Sequence, residues 1–206
     1  MDTPGDPSSG PHVVVVPVRS FRDAKSRLAD VLDDTGRSEL ARRLADGVLD
    51  AVSDRSCVVV TGDDEVARWA TGAGAEVLRT DRRGLADEVG AAYLHCLDRG
   101  AARVTVVPGD LARPAGLADL LDGTLDDARD GVVIVPDRHG DGTNLLSLPR
   151  LPAFRFRYGP GSADAHRAEA ARCGAPVVVV TDPDLGWDVD VPADLTGLGA
   201  DTSDTL

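Results

Sequence analysis

The stretch Asp137-Arg138-His139-Gly140-Asp141-Gly142-Thr143-Asn144 sets two glycines, a hydroxyl and an amide between the apolar runs Val132–Pro136 and Leu145–Leu148. Glycine tolerates positive φ and lets the backbone approach a ligand closely, and Thr143 and Asn144 add hydrogen-bonding groups just beyond. Such a loop suits a small oxygen-rich anion, although an ordinary hairpin turn accounts for the same residues. Carboxylates form a second constellation. Asp110 follows the apolar run Arg103–Pro108 almost directly, and Asp188-Val189-Asp190 projects two carboxylates from one face of an extended segment. A hard cation such as Mg²⁺ commonly takes one or two carboxylates and completes its shell with substrate phosphates, so Asp110 is expected as a metal ligand, with Asp190 and Asp188 as its partners. A helix cap at Asp110 and a solvent-facing edge strand at Asp188–Asp190 are the competing readings.

Two further stretches complete the candidates. Arg19, Arg22, Lys25 and Arg27 crowd the loop that leaves the first apolar run, His12–Val18, in a chain that is otherwise acidic. Gly159-Pro160-Gly161-Ser162 opens a helix, where free backbone N–H groups and the positive dipole end make an anion site. His166 lies one turn further on the same face as Ser162; a packing residue is the commoner role for such a histidine.

The elements that must position these residues follow from periodicity. Continuous apolar runs at His12–Val18, Cys57–Thr61, Arg103–Pro108, Val132–Pro136 and Pro176–Thr181 predict buried strands, with a weaker one at Ala75–Leu78. Helical spacing predicts helices over Arg37–Val52, Asp63–Thr71, Leu85–Leu97, Leu117–Ala128 and Ala163–Cys173. Phe154–Tyr158 alternates apolar and polar and predicts a half-exposed strand. The alternation of strands and helices predicts a three-layer α/β domain over residues 12–196, mostly parallel, with a late antiparallel excursion around residues 144–158. Ligands of such sheets bind outside the carboxyl ends of the strands, where the basic loop and Asp110 both fall. The loop Asp81-Arg82-Arg83-Gly84-Leu85 opens a helix and could hold a nucleotide or merely cap it. Residues 1–11 and 197–206, rich in small and polar residues, are expected to be mobile tails.

Composition excludes several functions. A net charge of −13 argues against a sequence-independent grip on nucleic acid, and 3% aromatic residues leave few platforms for stacking bases. No apolar run reaches the roughly 18 residues a membrane helix needs. Three widely spaced cysteines, Cys57, Cys96 and Cys173, suit a reducing cytoplasm. Neither a dinucleotide-binding glycine fingerprint nor a P-loop follows the first strand.

Four stretches together resemble the guanylyltransferases of deazaflavin coenzyme (F420) biosynthesis, which act on phosphoenolpyruvate or 2-phospho-L-lactate. They are Val16-Pro17-Val18-Arg19 with Ala24-Lys25-Ser26-Arg27-Leu28, Asp137 to Leu146, Tyr158 to Ser162 with His166, and Asp188 to Leu195. The resemblance implies a Rossmann-like nucleotidyltransferase fold and transfer of GMP from GTP to phosphoenolpyruvate. It places the acceptor on Thr143, Gly159 and Ser162, and the nucleotide near Pro17, Arg19, Lys25 and Gly84. Mg²⁺ would lie on Asp110, Asp190 and Asp188, with Lys25 and Asp110 as the catalytic pair. A homodimer is compatible with it. The chain departs from the family pattern at Arg19 (for Lys), Ala86 (for Asn) and Ala112 (for Pro). Its Arg-, Ala- and Asp-rich, Lys-poor composition is similar to that of actinobacterial members, which favours phosphoenolpyruvate over 2-phospho-L-lactate and 3-phosphoglycerate. The rival readings are another small-molecule nucleotidyltransferase and a non-catalytic GTP-binding regulatory domain.

Overall fold

Apolar runs that bury both faces must lie inside a sheet, and here they build one. The computed structural model describes residues 10–82, 84–128 and 130–198. Its seven strands are β1 His12–Pro17, β2 Ser56–Thr61, β3 Glu76–Arg79, β4 Arg103–Val106, β5 Val132–Pro136, β6 Thr143–Pro149 and β7 Val177–Val179, in the order β3-β2-β1-β4-β6-β5-β7. β1 lies between β2 and β4, parallel to both, with Val15 opposite Val58 and Val106. Among the described strands only β6 runs antiparallel, to β4 on one side and β5 on the other.

The helices are α1 Asp34–Ala51, α2 Asp64–Gly72, α3 Leu85–Asp98, α4 Leu117–Asp122, α5 Thr124–Asp127 and α6 Ser162–Arg172. Side chains alternate across a strand, so β1 feeds two cores. Val14 and Val16 pack with α1, α2, α4 and α5, whereas Val13 and Val15 pack with α3 and α6. The result is the expected three-layer α/β domain. Among the described residues no helix is long and apolar enough to cross a membrane.

Three expectations need correction. Phe154–Tyr158 pairs with no strand among the described residues, although Phe154 and Phe156 are buried as the alternation requires. Its amides find acceptors on α6 instead of a ladder: Arg155 N–H donates to Glu169 Oε1 at 2.8 Å and Arg157 N–H to His166 Nε2 at 2.9 Å. The antiparallel excursion is therefore β6 alone. The run Pro176–Thr181 is not a buried strand but the sheet's outer edge, where Val178 and Val179 are each 38% exposed because β5 is the only strand beside it among the described residues. The helix expected over Leu117–Ala128 divides at Gly123 into α4 and α5.

Of the expected tails, residues 1–9 and 199–206 lie outside the described residues, as does Arg83 of the Asp81–Leu85 loop. Residues Pro192–Leu198 form a 3-10 turn whose Leu195 and Leu198 pack against Leu28, Leu40, Leu44 and Val189. The parallel strands end on one rim. Antiparallel β6 starts there too, since Val106 faces Leu146 and Thr143 lies three residues beyond.

Candidate active site

The loop after β1 is pinned by apolar anchors and opened by one unusual torsion. Phe21 and Leu28 are buried, and between them Lys25 adopts φ 55°, ψ 34°, the one positive φ among the described non-glycine residues. An L side chain in that region costs energy, which the surrounding packing must offset. The torsion aims Lys25 inward. Its side chain is 6% exposed, and Nζ donates to Asp110 Oδ2 at 2.6 Å and Asp190 Oδ1 at 3.4 Å. Burial pulls the ammonium's pKa down, but the two carboxylates outweigh it and hold the pKa above the usual lysine value. Lys25 is thus a fixed charge.

Asp110 leaves β4 at the rim, and the C-terminal segment comes back beside it. Leu111 and Asp188 form an isolated antiparallel bridge, Ala112 N–H donates to Trp187 O at 2.8 Å, and Val189 N–H to Asp110 O at 3.3 Å. Val189 is fully buried in the Leu28 cluster, so its neighbours Asp188 and Asp190 face the other way, as alternation predicts. Burial raises the pKa of Asp188, and the charges of Asp110 and Asp190 raise it further.

Among the described residues no three acidic, His or Cys side chains converge so as to hold an ion by themselves. The site instead offers carboxylates crowded around one ammonium, with Asp188 already burdened by its neighbours' charge. That oxygen-only donor set fits a hard divalent cation whose remaining positions are filled by phosphate and water. Asp110 and Asp190 are the pair already drawn together; Asp188 is turned to Asn144, whose Nδ2 donates to Asp188 Oδ1 at 3.4 Å and Leu185 O at 3.1 Å.

A cleft of about 720 Å³ runs along the rim past Pro17, Arg19, Lys25, Thr80, Glu88 and Asp110. Arg19, its side chain 66% exposed, has Nε 3.6 Å from Glu88 Oε1. Gly84 caps α3 with φ 104°, between the lining residues Arg82 and Leu85. Only a glycine takes that torsion readily, so Gly84 sets the backbone turn into α3.

The second half of the site joins two loops. Asp137 closes the β5–β6 hairpin by accepting from the N–H groups of His139, Asp141 and Gly142 at 2.9–3.0 Å. Asp141 then latches the next loop, its carboxylate accepting from Gly161 N–H at 3.0 Å and its carbonyl from Ala163 N–H at 3.1 Å. Ser162 N–H donates to Gly159 O at 3.1 Å. Three of the amides expected to be free at the start of α6, those of Gly161, Ser162 and Ala163, therefore already have acceptors. Thr143 Oγ1 lies 3.1 Å from Ser162 Oγ and 3.0 Å from the Nδ1 of fully buried His166. Gly159 stands at the turn with φ 121° and open space beside it. Burial drops the His166 pKa to about 4, so the ring is neutral at physiological pH.

The structure brings Lys25, Asp110 and Asp190 into direct contact and pairs Thr143 with Ser162. Asn144 and Asp188 connect the two groups across the rim. Three contributors, Asp194, Arg138 and Glu88, have no role that the sequence assigns. Asp194 accepts from the N–H groups of Asp190 and Val191 at 2.7 and 2.8 Å and pairs with Arg138, whose guanidinium lies 4.6 Å over the Trp187 ring. Burial alone would raise the Asp194 pKa, but the two amides and Arg138 bring it below the usual carboxylate range. These residues fix the turn that carries Asp190. Glu88 is 6% exposed and has one oxygen without a partner among the described residues; from sequence, a carboxylate in the first turn of a helix looks like ordinary dipole compensation.

The family described as guanylyl transferase CofC like matches residues 12–205. A phosphoenolpyruvate guanylyltransferase of Rubrobacter xylanophilus is 37% identical over 193 residues, covering 90% of this chain and 92% of that protein. A 2-phospho-L-lactate guanylyltransferase of Halorubrum lacusprofundi is 38% identical over 192 residues, covering 90% and 82%. In fold, the chain is similar to a nucleotide-diphospho-sugar transferase structure from Desulfovibrio desulfuricans, with a TM-score of 0.75, 18% identity, and coverage of 94% of this chain and 88% of that one. Other neighbours of the same fold carry manganese. The chain is an enzyme of the nucleotidyltransferase class, and it belongs to the guanylyl transferase CofC-like family.

Proposed function

We propose that the protein transfers GMP from GTP to phosphoenolpyruvate, releasing pyrophosphate and forming enolpyruvyl-2-diphospho-5'-guanosine on the way to coenzyme F420. One observation carries the reading: a buried ammonium, Lys25, held between Asp110 and Asp190 on the same rim as the Thr143–Ser162 pair. The names of the relatives support the substrates.

The acceptor phosphate is largely dianionic near neutral pH, since its second pKa is about 6, so its oxygen needs no general base. That oxygen forms a bond to the α-phosphorus while the bond from the α-phosphorus to the bridging oxygen breaks and pyrophosphate leaves. Thr143, Gly159 and Ser162 position the acceptor, which turns an encounter between two anions into a reaction of prearranged groups. Lys25 and the exposed Arg19 meet the charge of the triphosphate, and Lys25 keeps its proton because two carboxylates hold its pKa up. Mg²⁺ on Asp110 and Asp190, when bound, supplies further neutralisation of phosphate charge. The Asp194–Arg138 pair keeps Asp190 in place for that role. The three cysteines are free, and burial lifts the Cys57 thiol to about 12, which suits an inert core residue in a reducing cytoplasm.

2-Phospho-L-lactate is the second reading, favoured by the Halorubrum relative's name at a similar identity. Pyrophosphate release from GTP with each three-carbon acceptor separates the two. The fastest release is expected with phosphoenolpyruvate; faster release with 2-phospho-L-lactate or 3-phosphoglycerate reassigns the acceptor, release only with a sugar phosphate reassigns the class of acceptor, and GTP binding without release removes catalysis.

A further inference from the structure

We infer that His166 is a positioning residue that makes the Thr143–Ser162 hydroxyl pair a hydrogen-bond donor to the acceptor's oxyanion. The inference rests on the proposed acceptor site and adds a residue to it. It follows from counting protons. The backbone N–H of Arg157 can only donate, and it points at His166 Nε2 from 2.9 Å, so Nε2 must carry a lone pair. A neutral imidazole then has its hydrogen on Nδ1, and Nδ1 lies 3.0 Å from Thr143 Oγ1. The ring donates and Thr143 accepts.

Thr143 and Ser162 share one further hydrogen bond, 3.1 Å between their oxygens, which uses one of their two hydroxyl hydrogens. With the ring as donor, one hydroxyl hydrogen is left over. Were the ring the acceptor at Nδ1, Thr143 would donate to it, Ser162 would donate to Thr143, and none would remain. The tautomer thus decides whether the pair can donate to an anion. Ser162 is 2% exposed and Thr143 is half-buried, so the spare hydrogen emerges at Thr143. The ring has no latitude to turn: it is fully buried, in edge contact with Tyr158 at 5.0 Å between centroids and tilted against Phe154 at 6.0 Å. The extended segment Phe154–Tyr158, which pairs with no strand, is the part of the fold that supplies the Arg157 amide.

Two substitutions separate this role from packing. The amide of His166→Gln can replace the Nε2 acceptor but not the Nδ1 donor, whereas that of His166→Asn can replace the Nδ1 donor but not the Nε2 acceptor. Both lose one buried hydrogen bond and are expected to melt at similarly lowered temperatures. His166→Gln is expected to raise KM for phosphoenolpyruvate about tenfold while KM for GTP stays within about twofold, and His166→Asn to raise KM for phosphoenolpyruvate distinctly less. Equal changes in the two variants, or parallel changes for both substrates, overturn the inference. The unsubstituted chain labelled with ¹⁵N-histidine gives a test that needs no variant to fold. Its side-chain nitrogen spectrum should show His166 with hydrogen on Nδ1 at neutral pH, and hydrogen on Nε2 would overturn the relay. If the unsubstituted chain releases no pyrophosphate from GTP and phosphoenolpyruvate, the proposed function fails while the spectrum still decides the tautomer.

Discussion

The two halves of the site hold their ligand groups by different physics. Around Lys25, full charges lie close together: an ammonium, Asp110, Asp190 and, a little deeper, Asp188. Around Thr143, the groups are neutral: two hydroxyls and an imidazole kept uncharged by burial. The first half is tuned by charge balance, so changing one member alters the field on every other. The second is tuned by geometry, so changing one member removes only the hydrogen bonds that this member makes. On the proposed function, an acidic protein would bind two anionic substrates by confining strong positive charge to one loop and leaving the acceptor to neutral donors.

That contrast orders the expected losses. Lys25→Ala removes the only buried cation between Asp110 and Asp190 among the described residues, and kcat for pyrophosphate release is expected to fall by about 10²–10³ with GTP binding weakened in calorimetry. Unchanged GTP affinity would break the assignment of Lys25 to the triphosphate. Thr143→Ala should raise KM for phosphoenolpyruvate about tenfold and leave KM for GTP nearly unchanged. The reverse pattern would exchange the roles of the two halves.

The smallest effect is on pH stability. The folded pKa of Asp194 lies below its unfolded value, so its carboxylate contributes stability above the unfolded pKa and loses that contribution as pH falls through the folded one. Acidification below about pH 4 should therefore destabilise the chain, and Asp194→Asn, less stable at neutral pH, should show a shallower acid slope in thermal melts. The Lys25 contribution has the opposite sign. Its raised pKa stabilises the fold at neutral pH and is lost only as strongly alkaline solution deprotonates the ammonium.

Much of the rim is legible in the amino-acid sequence. Runs such as Val13–Val16 can only be buried strands, a βα repeat puts the strand exits on one side, and Lys25 and Asp110 follow from their distance past those exits. The return of Asp188–Asp190 to Asp110 is legible only as an alternation, because pairing between residues nearly eighty positions apart leaves no local signal. Phe154–Tyr158 misleads for a related reason. Alternation reports which side chains are buried, and it is silent on whether the amides meet a strand or, as here, Glu169 and His166. Pro176–Thr181 has the composition of a central strand yet lies at the edge, since hydrophobicity does not count neighbours. The Asp194–Arg138 pair and the unpartnered Glu88 oxygen depend on side-chain positions that no spacing rule encodes.

The central claim is that the carboxylates around Lys25 are catalytic machinery and not only a structural ion pair. Asp110→Asn keeps the shape and removes one charge, so pyrophosphate release from GTP and phosphoenolpyruvate with Mg²⁺, measured alongside a thermal melt, tests it most directly. A loss of turnover of about 10² or more in a chain that still melts cooperatively is the predicted result. Near-normal turnover in that folded variant would contradict it.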